Sequence, residues 1–267
     1  MKRIEIDEIR KIQLSIMDRI DAFCKEKGLR YSLAGGSLIG AVRHKGYIPW
    51  DDDIDIVMPR PDYEVFIKDF RCLYPDLTVQ TVQSDETYNR LFAKVYDNRT
   101  EIIEPLLRTG VYVDIFIVDG ISSPEEMENR CKEYAYEQYL LGKVTKFFEF
   151  QQHKWFLRIK YYVKRLLYPS RAKLIERYER LWKQYPFETS KYAGVLNTVY
   201  GTKECMETDV FCHYSRDLLF EGRHYMHVTR YHDYLTNLYG DYMTPPPPEQ
   251  RVSHHEPNVF WKDEAGS

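Results

Sequence analysis

A chain of 267 residues with a formal net charge of −3 has ample material for a core and carries no global basic field that would recruit nucleic acid. Its five cysteines, odd in number and without a C-x-x-C pair, indicate neither a disulfide framework nor a zinc site. The N-terminus carries charges at helical spacing in place of an apolar leader, and no segment approaches a membrane span, so a cytoplasmic protein is expected. Aromatic residues make up 15%, with 23 tyrosines, a content suited to surfaces that meet sugars or lipid headgroups.

Residues Ile4 to Lys27 repeat apolar positions (Ile9, Ile12, Ile16, Ile20, Phe23) at three- and four-residue intervals, which predicts an amphipathic helix ended by Gly28. Arg30 to Ala34 reads as a short strand. Gly35 and Gly36 follow, where backbone can approach a ligand closely, and Ser37 stands as the N-cap of a helix through Leu38, Ile39, Ala41 and Val42. Free amides and a hydroxyl at a helix N-terminus suit a phosphate. An ordinary strand-to-helix turn is the plainer reading of these three residues taken alone.

The run Asp51-Asp52-Asp53-Ile54-Asp55-Ile56-Val57-Met58 feeds acid directly into an apolar strand. Alternation places Asp53 and Asp55 on one face, with Ile54 and Ile56 on the core. Adjacent like charges repel unless a cation sits between them, and Mg²⁺, which accepts one or two carboxylates plus phosphate oxygens, suits the pattern; Mn²⁺ is a second choice. A solvated acidic turn and a glycosyltransferase-type Asp-x-Asp are alternatives. An EF-hand is disfavoured because Ile56 stands where that loop requires glycine.

Pro59 and Pro61 stop this strand, and Asp62 to Tyr74 has helical spacing. Strands are expected at Leu77–Val82, Leu91–Tyr96 and Thr100–Ile103. Val111 to Gly120 is the most strand-like run, buried on both faces, with Asp119-Gly120 as its closing turn. An aspartate inside such a strand is costly unless paired or metal-bound, which makes Asp114 the third metal carboxylate.

A helix begins at Ser123-Pro124 and runs to about Leu141. Residues 143–173 mix Lys and Arg with aromatics. Such a segment can lie on an anionic membrane; an apolar core face backed by a solvated basic face is the commoner explanation. A helix over Arg171–Tyr185 precedes looser strands and loops, with one further helix after Thr229. His224, His227 and His232 read as surface positions.

The wording Gly35-Gly36-Ser37-Leu38-Ile39-Gly40-Ala41-Val42-Arg43-His44, then Gly46-Tyr47-Ile48-Pro49-Trp50-Asp51-Asp52-Asp53-Ile54-Asp55, resembles the LicD family of LPS cholinephosphotransferases, within the polymerase-β-like nucleotidyltransferase superfamily. Lys94-x-x-Asp97-x-Arg99-Thr100, Phe220-Glu221-Gly222, Tyr239-Gly240-Asp241 and the ending Arg251…His254-His255 extend the resemblance over most of 32–255. The stretch Arg223 to Val228 departs from it.

The resemblance implies an α+β fold: a nucleotidyltransferase-like mixed sheet flanked by helices over 1–122, and a helical and irregular half over 123–267 of the same unit. It implies transfer of a phosphorylated alcohol, phosphocholine or similar, from a CDP-linked donor to a sugar hydroxyl of a cell-surface glycan such as lipopolysaccharide or teichoic acid, with a lipid-linked acceptor included. Asp53, Asp55 and Asp114 would hold the metal. Asp51 or Asp114 would handle the acceptor proton. Gly36, Ser37, Arg43, His44, Lys94, Arg251 and His254 would bind substrate. Two other functions stay open: a nucleotidyltransferase releasing pyrophosphate from an NTP, and a silent glycan- or membrane-binding relative.

Overall fold

A computed structural model describes residues 2–103, 108–149, 166, 168–251 and 258–262. The chain enters through a short strand, β1 (Lys2–Arg3), and the amphipathic helix α1 (Ile6–Lys27). Ile9, Ile12, Ile16, Ile20 and Phe23 are all buried as the periodicity predicts, and Gly28 ends the helix with φ 67°. Then come β2 (Ser32–Leu33), α2 (Gly35–His44), β3 (Asp55–Pro59) and α3 (Arg60–Asp69). Four strands follow: β4 (Leu77–Gln80), β5 (Ala93–Asp97), β6 (Thr100–Ile103) and β7 (Arg108–Thr109). The ten-residue β8 (Tyr112–Ile121) leads to α4 (Pro124–Glu149).

The second half contributes α5 (Arg171–Trp182), β9 (Tyr192–Val195), β10 (Met206–Glu207), β11 (Tyr214–Ser215), β12 (His227–Val228), α6 (Tyr231–Tyr239) and β13 (Val259–Trp261). The expected α+β class holds. Helix α4 runs eight residues past the expected end, because Lys143 to Glu149 contains no breaker. Most of the basic aromatic segment 143–173 lies outside the described residues, as do His254 and His255. No helix among the described residues is long and apolar enough to cross a membrane.

β8 is the axis of the main sheet. On one side it pairs in parallel with β3, in the register Asp55 to Asp114. Its other edge is divided: residues 112–115 pair with β5, and residues 118–121 pair with β9, both antiparallel. β2 extends the sheet beyond β3, β4 lies beyond β5, and β10 lies beyond β9. The sheet is therefore mixed and draws strands from both halves of the chain. β1, β13, β6 and β7 form a separate small sheet.

Helix α1 packs over β5 and β8, α2 over β3, and α3 over β3 and β8. Their apolar faces, Ile54 just before β3, and the inward positions of β3 and β8, including Ile56 and Ile115, make one continuous core. Asp119 and Gly120 lie within β8 and are not its closing turn. The strand continues through them because Arg60 grips the buried Asp119 carboxylate with two bonds of 2.7 Å, offsetting part of the cost of burying it.

Candidate active site

The divided edge of β8 leaves a gap where β5 and β9 part, and a cavity of about 660 Å³ opens there. Alternation puts Tyr112, Asp114 and Phe116 of β8 on its floor, beside Asp55 and Val57 of β3 and Lys94 of β5. Gly35 and Gly36 of α2, Trp50, Asp51 and Asp53 form one wall. Residues after β9 and the inner face of α6 form the other. Asp51, Asp53, Asp55, Asp114, Gly36 and Lys94 are thus brought to one space from positions as far apart in the chain as Gly36 and Asp114.

Asp53 precedes β3; the strand begins at Asp55, and Asp51 to Ile54 approach it as a loop. The loop is fixed from behind. Arg10 donates to the Asp51 carbonyl at 2.6 Å and Gln13 to the Asp52 carbonyl at 2.8 Å. Asp114 lies opposite Lys94 in register, and Lys94 Nζ donates to its Oδ1 at 2.6 Å. Lys94 also sits 3.2 Å from the centroid of the Tyr112 ring.

The charges press on each other. Asp55 is pushed well above the usual carboxylate range, by burial first and then by Asp53, Asp114 and Asp51, with Lys94 opposing. Burial also raises Asp114, again against Lys94. Asp51 is pushed up to about 7 by burial and by the neighbouring Asp53 and Asp52.

Asp55 Oδ1 is buried without a hydrogen-bond partner. A buried, partnerless carboxylate oxygen among other carboxylates is what an oxygen-seeking divalent cation would satisfy, so Asp53, Asp55 and Asp114 fit such an ion. Among the described residues, the three carboxylates whose oxygens all lie within 4.8 Å of one another are instead Asp51, Asp52 and Asp53. Asp52 does not line the cavity; it borders a small void beside Ile9 and Gln13. Asp53 is common to both groups.

Ser37 is not the N-cap. Helix α2 starts two residues earlier, with extended Ala34 in the capping position, because Gly35 accepts φ 49° and turns the chain directly into the helix. Ser37 is buried in the first turn, and its Oγ accepts the Asp55 amide at 2.9 Å. It positions Asp55. Gly36 allows a close approach: a Cβ there would stand 2.4 Å from Asp51 Oδ2.

Arg43 and His44 do not line the cavity, being at the far end of α2. Arg43 donates to His44 Nε2 at 2.9 Å and to the Tyr242 carbonyl at 2.7 Å. Arg251 also lies outside the lining, with its guanidinium 5.4 Å from the centroid of Trp50, which does line it. His44 meets the same Trp50 edge-on, so these side chains border the mouth.

Of the Lys94-x-x-Asp97-x-Arg99-Thr100 stretch, only Lys94 enters the cavity. Asp97 and Arg99 pair at 2.5 Å and Thr100 Oγ1 donates to the Asp97 carbonyl, building the turn between β5 and β6. His224 and His232 are exposed as expected. His227 is buried, its ring contacting Asp217 at 2.9 Å and the Val228 carbonyl at 3.0 Å, because β12 packs against β2.

Several lining residues carried no signal in the sequence. Arg90 and Phe92 stand just before β5, and Glu204 and Tyr234 come from distant parts of the second half; Tyr239, from the Tyr239-Gly240-Asp241 stretch, joins them. Glu204 is 4% exposed, its Oε2 has no partner, and burial pushes it up to about 8. The high tyrosine count and the Tyr239-Gly240-Asp241 stretch were the hints of the aromatic wall.

A mixed sheet presenting clustered carboxylates beside a glycine-led helix defines a nucleotidyltransferase-like α+β protein. Residues 28–133 match the family model described as LicD/FKTN/FKRP, nucleotidyltransferase domain. The chain is 32% identical to the lipopolysaccharide cholinephosphotransferase LicD of Haemophilus influenzae, across 96% of this chain and 97% of that one. It belongs to the LicD family. A short match to the human ribitol 5-phosphate transferase FKRP is 62% identical over 29 residues, 11% of this chain and 6% of that one. An uncharacterized protein of Rickettsia prowazekii, RP689, is 28% identical over 45% of this chain and 42% of its own.

Proposed function

We propose that this protein transfers phosphocholine, or a closely related phosphorylated alcohol, from a CDP-linked donor to a sugar hydroxyl of a cell-surface glycan. The buried, partnerless Asp55 Oδ1 among Asp53 and Asp114 carries this reading, because it supports a divalent cation where a diphosphate would be attacked. The full-length similarity to a lipopolysaccharide cholinephosphotransferase supports the phosphocholine donor and the glycan acceptor.

Asp53, Asp55 and Asp114 would hold Mg²⁺, which supplies charge neutralisation for the diphosphate and the departing CMP. The chain's own groups do the rest. Lys94 holds Asp114 in place and adds fixed positive charge beside the floor. Ser37 holds the Asp55 backbone. Gly36 leaves room at the start of α2 for the Asp51 carboxylate. Asp114 spends Oδ1 on Lys94, so Asp51, at the cavity wall against Gly36, is the carboxylate left to take the acceptor proton.

Incubation of the purified protein with CDP-choline, Mg²⁺ and a glycan acceptor tests this by product. CMP release with phosphocholine on the sugar, absent in Asp55→Asn, supports the transfer. Pyrophosphate release from CTP would replace it with a nucleotidyltransferase, and metal-independent glycan binding without turnover would replace both.

A further inference from the structure

The wall opposite the carboxylates contains a feature that the phosphoryl chemistry does not use. Glu204, in a tight turn at Gly201–Glu204, is buried within the cavity lining. Its Oε1 accepts from Thr198 Oγ1 at 3.1 Å, and its Oε2 has no partner. No ion pair reaches it among the described residues. Three tyrosines border the same end of the cavity. Tyr234 is fully buried, and the rings of Tyr200 and Tyr239 meet edge-to-face with centroids 5.1 Å apart.

Tyr239 joins this corner to the reaction centre. A Cβ on Gly35 would lie 3.4 Å from its hydroxyl and 3.6 Å from Asp55 Oδ2, so the hydroxyl borders the carboxylates. One cavity lining thus contains Asp55, Tyr239 and Glu204.

We propose that Tyr200, Tyr234, Tyr239 and Glu204 form the subsite for a quaternary ammonium group on the donor's alcohol. This rests on the donor reading above. A trimethylammonium group has no hydrogen to donate and is weakly hydrated, so aromatic faces and one buried carboxylate satisfy it. A primary ammonium is more strongly hydrated and has three N–H donors to satisfy, which aromatic ring faces do not replace. A polyol offers no charge to Glu204. The subsite thus selects choline over ethanolamine, glycerol and ribitol.

Titration calorimetry with Mg²⁺ tests the assignment, using CDP-choline, CDP-ethanolamine and CDP. The wild type should bind CDP-choline at least about tenfold more tightly than the other two, about 1.4 kcal/mol. Glu204→Gln and Tyr239→Leu should reduce CDP-choline to the level of CDP, while CDP affinity, which also reports correct folding, changes less than about twofold. Equal wild-type affinity for CDP and CDP-choline, or a preference that survives both variants, would overturn it. If the wild type binds no cytidine nucleotide, the donor reading fails on its own. Tetramethylammonium, followed by tyrosine fluorescence, then decides the subsite: saturable binding lost in Glu204→Gln retains it, and no binding removes it.

Discussion

Lys94 and Asp114 stand opposite each other in the register of β5 and β8, joined by a 2.6 Å bond that leaves both side chains at most 10% exposed. This pair sets the electrostatic balance of the cavity: it places one fixed cation among carboxylates that otherwise repel. Removing one partner of a buried pair leaves the other charge uncompensated, typically at about 3–5 kcal/mol. Lys94→Met should therefore lower the urea-unfolding free energy by that order in EDTA. Saturating Mg²⁺ should return part of the loss. A loss below about 1 kcal/mol, the surface-pair range, would mean that the pair carries little of the balance.

Asp55 behaves in the opposite sense. Its raised folded-state pKa means that ionised Asp55 weakens the metal-free fold at neutral pH. Asp55→Asn should raise thermal stability in EDTA while abolishing turnover. With Mg²⁺ at one hundred times its dissociation constant, the wild type should gain roughly 2.7 kcal/mol and the variant much less. Equal responses to Mg²⁺ in the two proteins would move the ion away from Asp55.

Two glycines of α2 should separate activity from stability. A Cβ at position 36 meets the Asp51 carboxylate at 2.4 Å, and one at position 40 meets the Gly46 carbonyl oxygen at 2.3 Å. A carboxylate can rotate away, whereas backbone must move. Gly36→Ala should cut kcat/KM more than about tenfold with under about 1 kcal/mol lost, and Gly40→Ala should lose about 1–3 kcal/mol through overpacking. Steady-state kinetics beside urea titration would distinguish the two effects.

Glu204 yields a pH prediction. Burial lifts it from 4.5 to about 8, against the weaker pull of its Thr198 bond, with Cys131, Tyr234 and Tyr239 also around it. Between those values the unfolded chain has released a proton that the folded chain keeps. Stability from this group therefore falls as pH rises from about 4.5 and levels off above about 8. Relative to wild type, Glu204→Gln should be similar near pH 4.5 and more stable by a few kcal/mol at pH 8.5, at roughly 1.4 kcal/mol per pH unit. A difference in melting temperature that does not vary with pH would contradict this.

Arg60 and Asp119 mark a limit of reading acid in a strand as chemistry. Asp119 lies in the same strand as Asp114 but is buried against a guanidinium, away from the cavity. Asp119→Ala should cost about 3–5 kcal/mol by orphaning Arg60. At temperatures where the variant remains folded, its KM should match wild type.

What depends on near neighbours was legible in the chain. Alternation and helical spacing specified α1 and the Asp55 and Asp114 strands, and the acid run followed by Ile54 and Ile56 marked the carboxylate cluster. The family wording from Gly35 to Asp55 is likewise local. Local signals misplaced Ser37 and Asp119, whose roles are set by partners eighteen and fifty-nine residues away. That β5 and β9 share one edge of β8 and part to open the cavity is a property of the fold. The same arrangement brings Lys94 onto Asp114, and Glu204 and Tyr239 to the opposite wall. Strand pairing and burial are long-range: the energy that selects a partner comes from surface removed from water and charges satisfied in the fold, which chain spacing does not encode.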